Sequence, residues 1–447
     1  MTASDDPLAL LGGLLDRARR AGADAADAVL FDSAMLSLSQ RLGRPERLER
    51  AEAGDVGLRV FVGHRMAVVS SSDRTPAALA EFADRAVAMA RAVPEDPFCG
   101  LAGPDQLAHD WGDLDLCDPV EPAAEDLIAR ARIAEEAALA VSGVTNSEGA
   151  EASWQRVHVA LAATNGFAGR YTLGASAISV SVIAGEGTAM ETDYDFSSAV
   201  YADDLRDPGE IGRMAGERAV RRLGGRKIAT AKVPVVYDPR VSGGLLRHLA
   251  GAISGPAVAR GTSFLKDRLG EPVFADGIRI VDDPHLRRGL RSKPFDGEGV
   301  ANRRRALVED GRLTTWLLDL RSARQLGLET TGHASRGTAS PPSPAPSNLF
   351  LEPGRIGPDA LIGGIGRGFY VTHLMGSGIN MVTGDYSRGA AGFWIENGAL
   401  THPVSEVTIA GNLKEMFRAL TPADDLVFRY GVDAPTVVVD GMTVAGN

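Results

Sequence analysis

The chain has 447 residues, of which 44% are hydrophobic and 23% are charged, and a formal net charge of −11. These values are ordinary for a soluble globular protein and allow two domains, each with a substantial core. The acidic balance argues against a nucleic-acid partner, which needs clustered basic charge. The arginines at 287–288 and 303–305 are local exceptions, and we expect them to be solvated or to form ion pairs within the chain.

Membrane and secreted classes are also disfavoured. The first residues, Met-Thr-Ala-Ser-Asp-Asp-Pro, lack the basic and then apolar pattern of a secretory signal. No uninterrupted apolar run reaches the about 18 residues of a membrane-spanning helix. Cys99 and Cys117 are the only cysteines, too few for a disulfide framework or a zinc ribbon, so we expect two inert thiols. The sequence therefore predicts a cytoplasmic protein with no membrane partner.

The first half of the chain mixes helical and strand-like patterns. A cap signal at Asp5-Asp6 precedes an amphipathic helix over 7–21. Further helices are predicted at 75–92, 121–141 and 207–223, with a Pro/Asp/Gly-rich connector at 93–121. Strand-like alternation occurs at 28–31, 35–40, 56–62, 66–70, 157–161 and 176–183. We predict that residues 1–228 form an α+β domain of mostly antiparallel strands with two or more covering helices.

The second half, residues 229–447, is predicted to be a β-rich domain. A strand pattern at 230–238 precedes one clear helix at 239–252, and many short strand candidates with glycine turns follow. This pattern is typical of a barrel or sandwich. The Pro/Ser-rich residues 337–347 are predicted to be an exposed loop, because strand-like sequence resumes directly afterwards. The fold class is therefore α+β, with a barrel-like carboxy-terminal domain that contains one long helix.

A glycine-rich block over 373–412 is the most unusual segment. Glycine flanked by strand-forming residues marks bulges, positive-φ turns or close approach of a chain or ligand. Asn397-Gly398 predicts a type I′ hairpin turn. Two interpretations stay open: a core hairpin with a glycine loop, and a site that contacts a substrate or a subunit. The candidate contact residues are Gly376, Ser377, Gly378, Thr383, Gly384, Asp385, Ser387 and Arg388.

Within this block the charged residues allow two arrangements. Asp385, Ser387 and Arg388 form either a polar cluster at a groove or an ion pair within the hairpin, and we favour the ion pair. Ser377 does not complete a Gly-x-Ser-x-Gly motif, so a hydrolase nucleophile elbow is unsupported. The glycines at 363–368 imitate a dinucleotide fingerprint, but a strand-like segment follows them instead of a helix, which argues against a Rossmann turn.

The order of residues in the block resembles the TldD/TldE (PmbA) family. The resemblance is carried by Gly376-Ser-Gly378, Thr383-Gly-Asp-Tyr-Ser-Arg-Gly389, Gly392-Phe-Trp-Ile-Glu-Asn-Gly398 and 403–413, and upstream by Ser254-Gly255, Ser263-Phe-Leu265, 294–299, Gly332-His333 and 346–349. The amino-terminal third is similar only loosely. The resemblance implies a part in zinc-dependent degradation or trimming of peptides.

It also implies where a metal site would lie. In TldD subunits the helix that corresponds to 239–252 carries a His-Glu-x-x-x-His motif, whose histidines bind zinc together with a later cysteine. Matching the paired leucines and Gly251 puts Arg247 and Ala252 at the ligand positions and His248 at the general-base position. Arginine stays protonated and alanine has no donor atom, so neither binds metal. No cysteine follows Cys117.

We therefore predict no catalytic residue and no metal or other cofactor in this chain, with His248 as a satisfied core or interface histidine. No two histidines of the second half are three to five residues apart. The densest alternative cluster is Asp282-Asp283-Pro-His285, and such a segment usually only caps a turn.

The resemblance implies a non-catalytic TldE/PmbA-type subunit that pairs with a TldD-type subunit, which supplies the zinc, and acts on unfolded peptides. Glycine-rich strand edges suit binding of an extended peptide by strand addition. A second hypothesis is a stand-alone homodimer that binds peptides without cleaving them. A third, modulation of DNA gyrase, comes from older naming of the family and has no support in the acidic charge.

Overall fold

The computed structural model describes residues 6–446. Asn447 and residues 1–5, which include Asp5 of the predicted cap signal and the amino-terminal residues inspected for a secretory signal, lie outside the described residues. Among the described helices, none combines the length and apolar character that a membrane crossing requires.

The amino-terminal part is an antiparallel sheet with the strand order β3-β2-β1-β4-β5-β6. Its strands are β1 (Ala25–Arg41), β2 (Arg44–Val62), β3 (Arg65–Ser71), β4 (Val144–Ala163), β5 (Ala168–Ala184) and β6 (Glu191–Ala199). Its helices are α1 (Pro7–Arg20), α2 (Pro76–Ala92), α3 (Ala124–Leu139) and α4 (Pro208–Arg221). The predicted helices are confirmed, and the predicted strands at 28–31 and 35–40 are one continuous strand.

The helices start where local chemistry favours a start. Asp6, Thr75, Asp207 and Asp238 each precede a proline at the first helical position, and each side chain accepts a hydrogen bond from a first-turn backbone N–H. Such caps satisfy N–H groups that have no partner inside the helix, and proline has no N–H to leave unsatisfied. These local signals explain why helix positions were predictable.

One face of the sheet packs against helices α1 to α4, and the other packs against the carboxy-terminal part. Ala28 and Leu30 of β1 face a core formed with α1 and α2, while α3 and α4 cover the β1, β4 and β5 residues further along. Val29 of β1 and Leu161 of β4 face the opposite way and pack with Phe295 from the carboxy-terminal part. This alternation follows the two-residue period of a strand. The sheet is therefore buried on both faces over this region.

The carboxy-terminal part contains a closed barrel of β7, β14, β15, β16 and β19, because β16 also pairs with β19. The strands are β7 (Ala231–Tyr237), β8 (Ile280–Asp283), β9 (Arg305–Glu309), β10 (Arg312–Leu313), β11 (Ala334–Ser335), β12 (Ser343–Pro344), β13 (Asn348–Leu351), β14 (Arg367–Ile379), β15 (Asp385–Glu396), β16 (Ala399–Asn412), β17 (Leu420–Pro422), β18 (Val432–Asp433) and β19 (Val437–Ala445). The helices are α5 (Pro239–Ala252), α6 (Gly255–Ala259), α7 (Leu320–Leu326), α8 (Pro358–Gly363) and α9 (Leu413–Arg418).

The predicted α+β fold with a barrel-like second part and one long helix is confirmed. A second sheet, with the order β10-β9-β8-β13-β18, lies beside the barrel. Asn397 and Gly398 have φ values of 49° and 77°, as the predicted type I′ turn requires. The glycines at 363–368 connect α8 to β14, so a strand follows a helix there and no Rossmann turn forms.

Residues 337–347 are mostly loop, as predicted, but they include the two-residue strand β12, and part of the loop is packed. A Cβ atom built on Gly57 of β2 would lie 2.3 Å from the carbonyl oxygen of Thr338. Only glycine at position 57 allows this backbone to approach so closely. The loop therefore covers part of the amino-terminal sheet instead of projecting freely into solvent.

Candidate functional site

Helix α5 lies beside the barrel and has two different faces. Leu245, Leu246 and Leu249 are buried in the main core, whereas Arg247 and Gly251 are exposed. The capping carboxylate of Asp238 accepts from the backbone N–H of Arg240 at 2.9 Å, which fixes the start of the helix. The exposed face thus carries the first position at which the resemblance located a metal ligand.

The two degenerate ligand positions lie in different environments. Arg247 is exposed, while Ala252 is fully buried and its carbonyl accepts a hydrogen bond from the Ser263 hydroxyl at 2.5 Å. Residues five apart on an α-helix project about 140° apart. Among residues 6–446, no group of three or more His, Cys, Asp or Glu side chains is arranged to hold a metal ion.

His248 is half-buried between the helix and strand β15. Its ring makes an edge contact with Tyr386, with ring centroids 5.8 Å apart. Burial, together with the nearby charges of Arg388 and Arg247, lowers the pKa of His248 to about 4. The imidazole is therefore neutral at neutral pH. The family resemblance assigns His248 to the general-base position of a zinc motif, and the charges that act on it here are those of Arg388 and Arg247.

Strand β15 brings two further side chains to the same region. Tyr386 is buried, and Arg388 follows two residues later, so both project from the same face of the strand. The buried Nε of Arg388 has no hydrogen-bond partner among the described residues. Burial and the neighbouring Tyr386 raise the pKa of Tyr237, whose hydroxyl donates to the sulfur of Met442 at 3.4 Å. Sequence patterns gave no signal for the two tyrosines, because aromatic residues in strands usually fill cores.

The glycine-rich block forms the β14–β15 hairpin and its tip. Residues 375–378 are exposed, and Gly376 has a φ of +75°. A Cβ on Gly378 would lie 2.2 Å from the carbonyl oxygen of Ser387, so the two strands approach more closely than a side chain allows. The hairpin also contains a register shift between Met375 and Gly378. Gly376, Ser377, Gly378 and Ser387 are thus brought together at the exposed end.

The tip, residues 380–384 between β14 and β15, is a turn that side-chain hydrogen bonds stabilise. Asn380 accepts from the backbone of Val382, and Asp385 accepts from the Thr383 hydroxyl at 2.6 Å and from Asn412 at 3.0 Å. These hydrogen bonds lower the pKa of Asp385. Asn412 was missed in the sequence, although it also caps α9.

The favoured ion pair between Asp385 and Arg388 is wrong. The partners of Asp385 are Thr383 and Asn412, and no ion pair joins it to Arg388, both residues being described. Residues three apart on a strand face opposite sides, which separates the two charges. Asp385 therefore belongs to the exposed turn, and Arg388 to the side of the barrel that carries His248.

Backbone hydrogen bonds tie the tip to its surroundings. Gly384 is buried, and its carbonyl accepts from the N–H of Leu413 at 2.7 Å. The carbonyl of Met381 accepts from the N–H of Phe264 at 2.8 Å. The turn is therefore anchored on two sides, while residues 375–378 extend beyond these anchors.

The other sequence-derived candidates have structural partners. Asp283 accepts from the N–H of His285 at 2.9 Å, so the predicted turn cap is confirmed. Arg288 forms ion pairs with Asp115 and Asp204, as predicted for the basic run. Cys99 and Cys117 are free thiols, and partial burial raises the pKa of each.

Comparisons with known proteins agree along most of the chain. Models of the PmbA/TldA metallopeptidase family match in three segments: domain 1 at residues 26–90, the central domain at 117–223 and the C-terminal domain at 230–446. The metalloprotease PmbA of Escherichia coli O157:H7 is 38% identical, with 95% of this chain and 93% of that protein aligned. The PmbA homolog of Haemophilus influenzae is 37% identical over 97% and 94%.

Solved structures give the same result. A proposed modulator of DNA gyrase from Bacteroides thetaiotaomicron is 30% identical, with a TM-score of 0.92 and all of both chains covered. TldE from Thermococcus kodakarensis, at 20% identity and a TM-score of 0.87 over 98% of this chain and 100% of that one, shares the fold. On its motifs, its three matched domains and its relatives, the chain belongs to the PmbA/TldD metallopeptidase family.

Proposed function

We propose that this chain is the non-metal-binding, PmbA/TldE-type subunit of a zinc peptidase assembly, in which a TldD-type subunit supplies the metal. The observation that carries the proposal is the chemistry of α5: Arg247 and Ala252 stand where metal ligands are expected, and neither side chain donates a lone pair. A neutral His248 and the half-buried Arg388 lie nearby. No metal ligation or hydrolytic step is assigned to these residues.

The contribution of this chain is binding. Strand β14 pairs with β7 only over Phe369–Val371, whereas its pairing with β15 continues to Ile379. The edge of residues 373–379 that faces away from β15 therefore has no strand partner among the described residues. An open edge offers backbone N–H and C=O groups for strand addition.

The composition of this edge suits an extended peptide or a subunit strand. Gly376, Ser377 and Gly378 carry little side-chain bulk, so a second backbone can approach. The exposed Met375, with 55% of its surface accessible, supplies an apolar contact.

The two free cysteines fit a reducing compartment, and we place the assembly in the cytoplasm on that basis.

The test is peptidase activity with and without a TldD-type chain. The purified chain alone is expected to leave an unfolded casein-derived peptide intact, and the co-purified mixed complex is expected to cleave it and to lose activity with a zinc chelator. Cleavage by the isolated chain at the rate of the mixed complex would contradict the proposal. A stable homodimer that binds the peptide and gains no activity with the partner would favour the stand-alone binding protein instead.

A further inference from the structure

A slot of about 230 Å³ lies between the amino-terminal sheet and the carboxy-terminal part, away from the β14–β15 tip. One wall comes from strands β1, β4 and β5 and the other from loops around β11. Its lining includes Phe31, Tyr171, Leu173, Lys293, Phe295 and Arg336. Apolar walls with a few polar groups at one place are typical of small-molecule sites.

Three of the four charged residues in the lining are basic. Arg291, Lys293 and Arg336 face a single acid, Asp296. The carboxylate of Asp296 already accepts three backbone N–H groups, from Glu298, Val300 and Ala334, at 2.8 to 3.0 Å. Arg336 is already paired with Asp27, and Lys293 lies near Asp296 and Asp282. The case for an anionic group in this slot therefore rests on the unused donors of Arg336 and Lys293.

Arg336 has an incompletely used guanidinium. Its side chain is 1% exposed, and Nη1 donates to Asp27 at 2.5 Å. The other two nitrogens, Nε and Nη2, are buried without a hydrogen-bond partner among the described residues. These two N–H groups form the planar edge that binds both oxygens of a carboxylate. A buried donor without an acceptor is unfavourable, and Arg336 is one of the residues that line the slot, so an acceptor bound there would satisfy these groups.

Lys293 also lines the slot; burial lowers the pKa of its ammonium, and the carboxylates of Asp296 and Asp282 act against this lowering. Its ammonium donates to the carbonyl of Ala334 at 3.0 Å, so donors remain for another acceptor. Asp282 also acts on Lys293 and Arg291, but its oxygens already accept from Ser347 and from His333.

Aromatic rings line the other end and the entrance. Phe295 contacts Tyr171 edge-on at 5.2 Å and Trp111 at 4.9 Å between centroids. Tyr171 also lines an adjoining open cavity of about 480 Å³, to which Trp111 contributes, and this cavity gives a route from solvent. Offset and edge contacts of this kind suit a further planar ring.

We propose that this slot binds a small monocarboxylate with an aromatic or branched apolar body, with its carboxylate on Arg336 and Lys293 and its body against the half-buried Phe31, Tyr171 and Leu173. The site is separate from the peptide edge and does not depend on the proposed subunit role. Because both walls contribute, an occupant would hold the two parts of the chain together and stabilise the fold by mass action.

The probes are 3-phenylpropionate and its uncharged amide, 3-phenylpropanamide, titrated calorimetrically into the isolated full-length chain. We expect saturable binding of the acid and at least about tenfold weaker binding of the amide, the loss expected for a charge-assisted hydrogen bond. R336Q should lower the affinity for 3-phenylpropionate by about the same factor. The exposed control R20Q should leave this affinity unchanged. Absence of saturable binding, or equal affinity for acid and amide, would overturn the proposal.

A second variant avoids the ion pair of Arg336 with Asp27. Leu173 is a half-buried residue of the apolar wall, and L173W fills the slot without touching a charge. A folded L173W chain that no longer binds 3-phenylpropionate supports the assignment. A folded L173W chain with wild-type affinity contradicts it, whatever the folding state of R336Q.

Discussion

The guanidinium of Arg59, on strand β2, lies 3.0 Å from the carboxylate of Glu298 in the carboxy-terminal part, and both side chains are almost fully buried. Arg59 also contacts Asp27, which in turn pairs with Arg336. One buried charge network therefore joins the two parts of the chain. Buried pairs are costly to break, because removing one partner leaves a charge in a medium of low polarity.

The first prediction concerns Asp27. D27N should reduce the free energy of unfolding by about 3–5 kcal/mol, since Arg59 and Arg336 both lose a charged partner. D32N is the matched control on the same strand: the Asp32–Arg74 pair is partly exposed and should cost at most about 1 kcal/mol. Denaturant unfolding at pH 7 measures both. Equal effects of the two substitutions would show that the buried network does not contribute in this way.

The second prediction concerns pH. Burial raises the pKa of Glu298 from 4.5 to about 7. The charge of Arg59 lowers this pKa, and the charge of Asp296 raises it. The folded state thus holds more protons than the unfolded chain in this window, and the stability contributed by this group falls as pH rises from 4.5 to 7. E298Q should remove this part of the pH dependence, on the order of 1–3 kcal/mol between pH 5 and pH 8.

The measurement is the free energy of unfolding at pH 5 and pH 8 for wild type, E298Q and the exposed control E125Q. The wild-type protein and E125Q should lose more stability than E298Q on going to pH 8. If E298Q loses as much stability as the wild type, Glu298 does not titrate in this range.

The third prediction concerns the turn at the hairpin tip. Because Asp385 accepts from Thr383 and Asn412, N412A should raise the pKa of Asp385 toward its ordinary value. R388Q should leave this pKa unchanged, because Arg388 faces the other side of β15. Carboxyl NMR titration of Asp385 resolves the two cases. A larger change in its pKa in R388Q than in N412A would contradict this account and support an Asp385–Arg388 ion pair.

The fourth prediction concerns the proposed binding edge. G378A places a Cβ 2.2 Å from the carbonyl oxygen of Ser387 and should displace the tip. We expect the peptidase activity of the mixed complex to fall about tenfold, which corresponds to a loss of about 1.4 kcal/mol in binding. The control is G389A in the same hairpin, where the nearest atom would be 3.4 Å away. Full activity in a folded G378A complex would show that the tip does not contact the substrate or the partner subunit.

Local features were predictable from the sequence, and long-range ones were not. Capped, proline-started helices and the Asn397-Gly398 turn depend on neighbouring residues, so their signals lie within a few positions. Closure of the barrel pairs Thr408 with Ala445, and Asp27 pairs with Arg336, which is 309 positions away. A charged residue in a strand pattern gives no indication of such a partner, because the same residue type usually faces solvent.

The candidate site shows the same division. Residue chemistry alone predicts that Arg247 and Ala252 do not bind a metal, and this stays a prediction. The grouping of His248 with Tyr386 and Arg388 depends on how β15 passes α5, which no local pattern encodes. The Asp385–Arg388 error arose because nearness along the chain was taken as nearness in space.

The most direct test of the proposed role is the zinc content of each chain, measured by native mass spectrometry of the isolated chain and of its complex with a TldD-type subunit. The predicted result is no bound zinc in the isolated chain and one zinc per mixed pair, which remains with the partner when the pair dissociates. One zinc bound stoichiometrically by the isolated chain would contradict it.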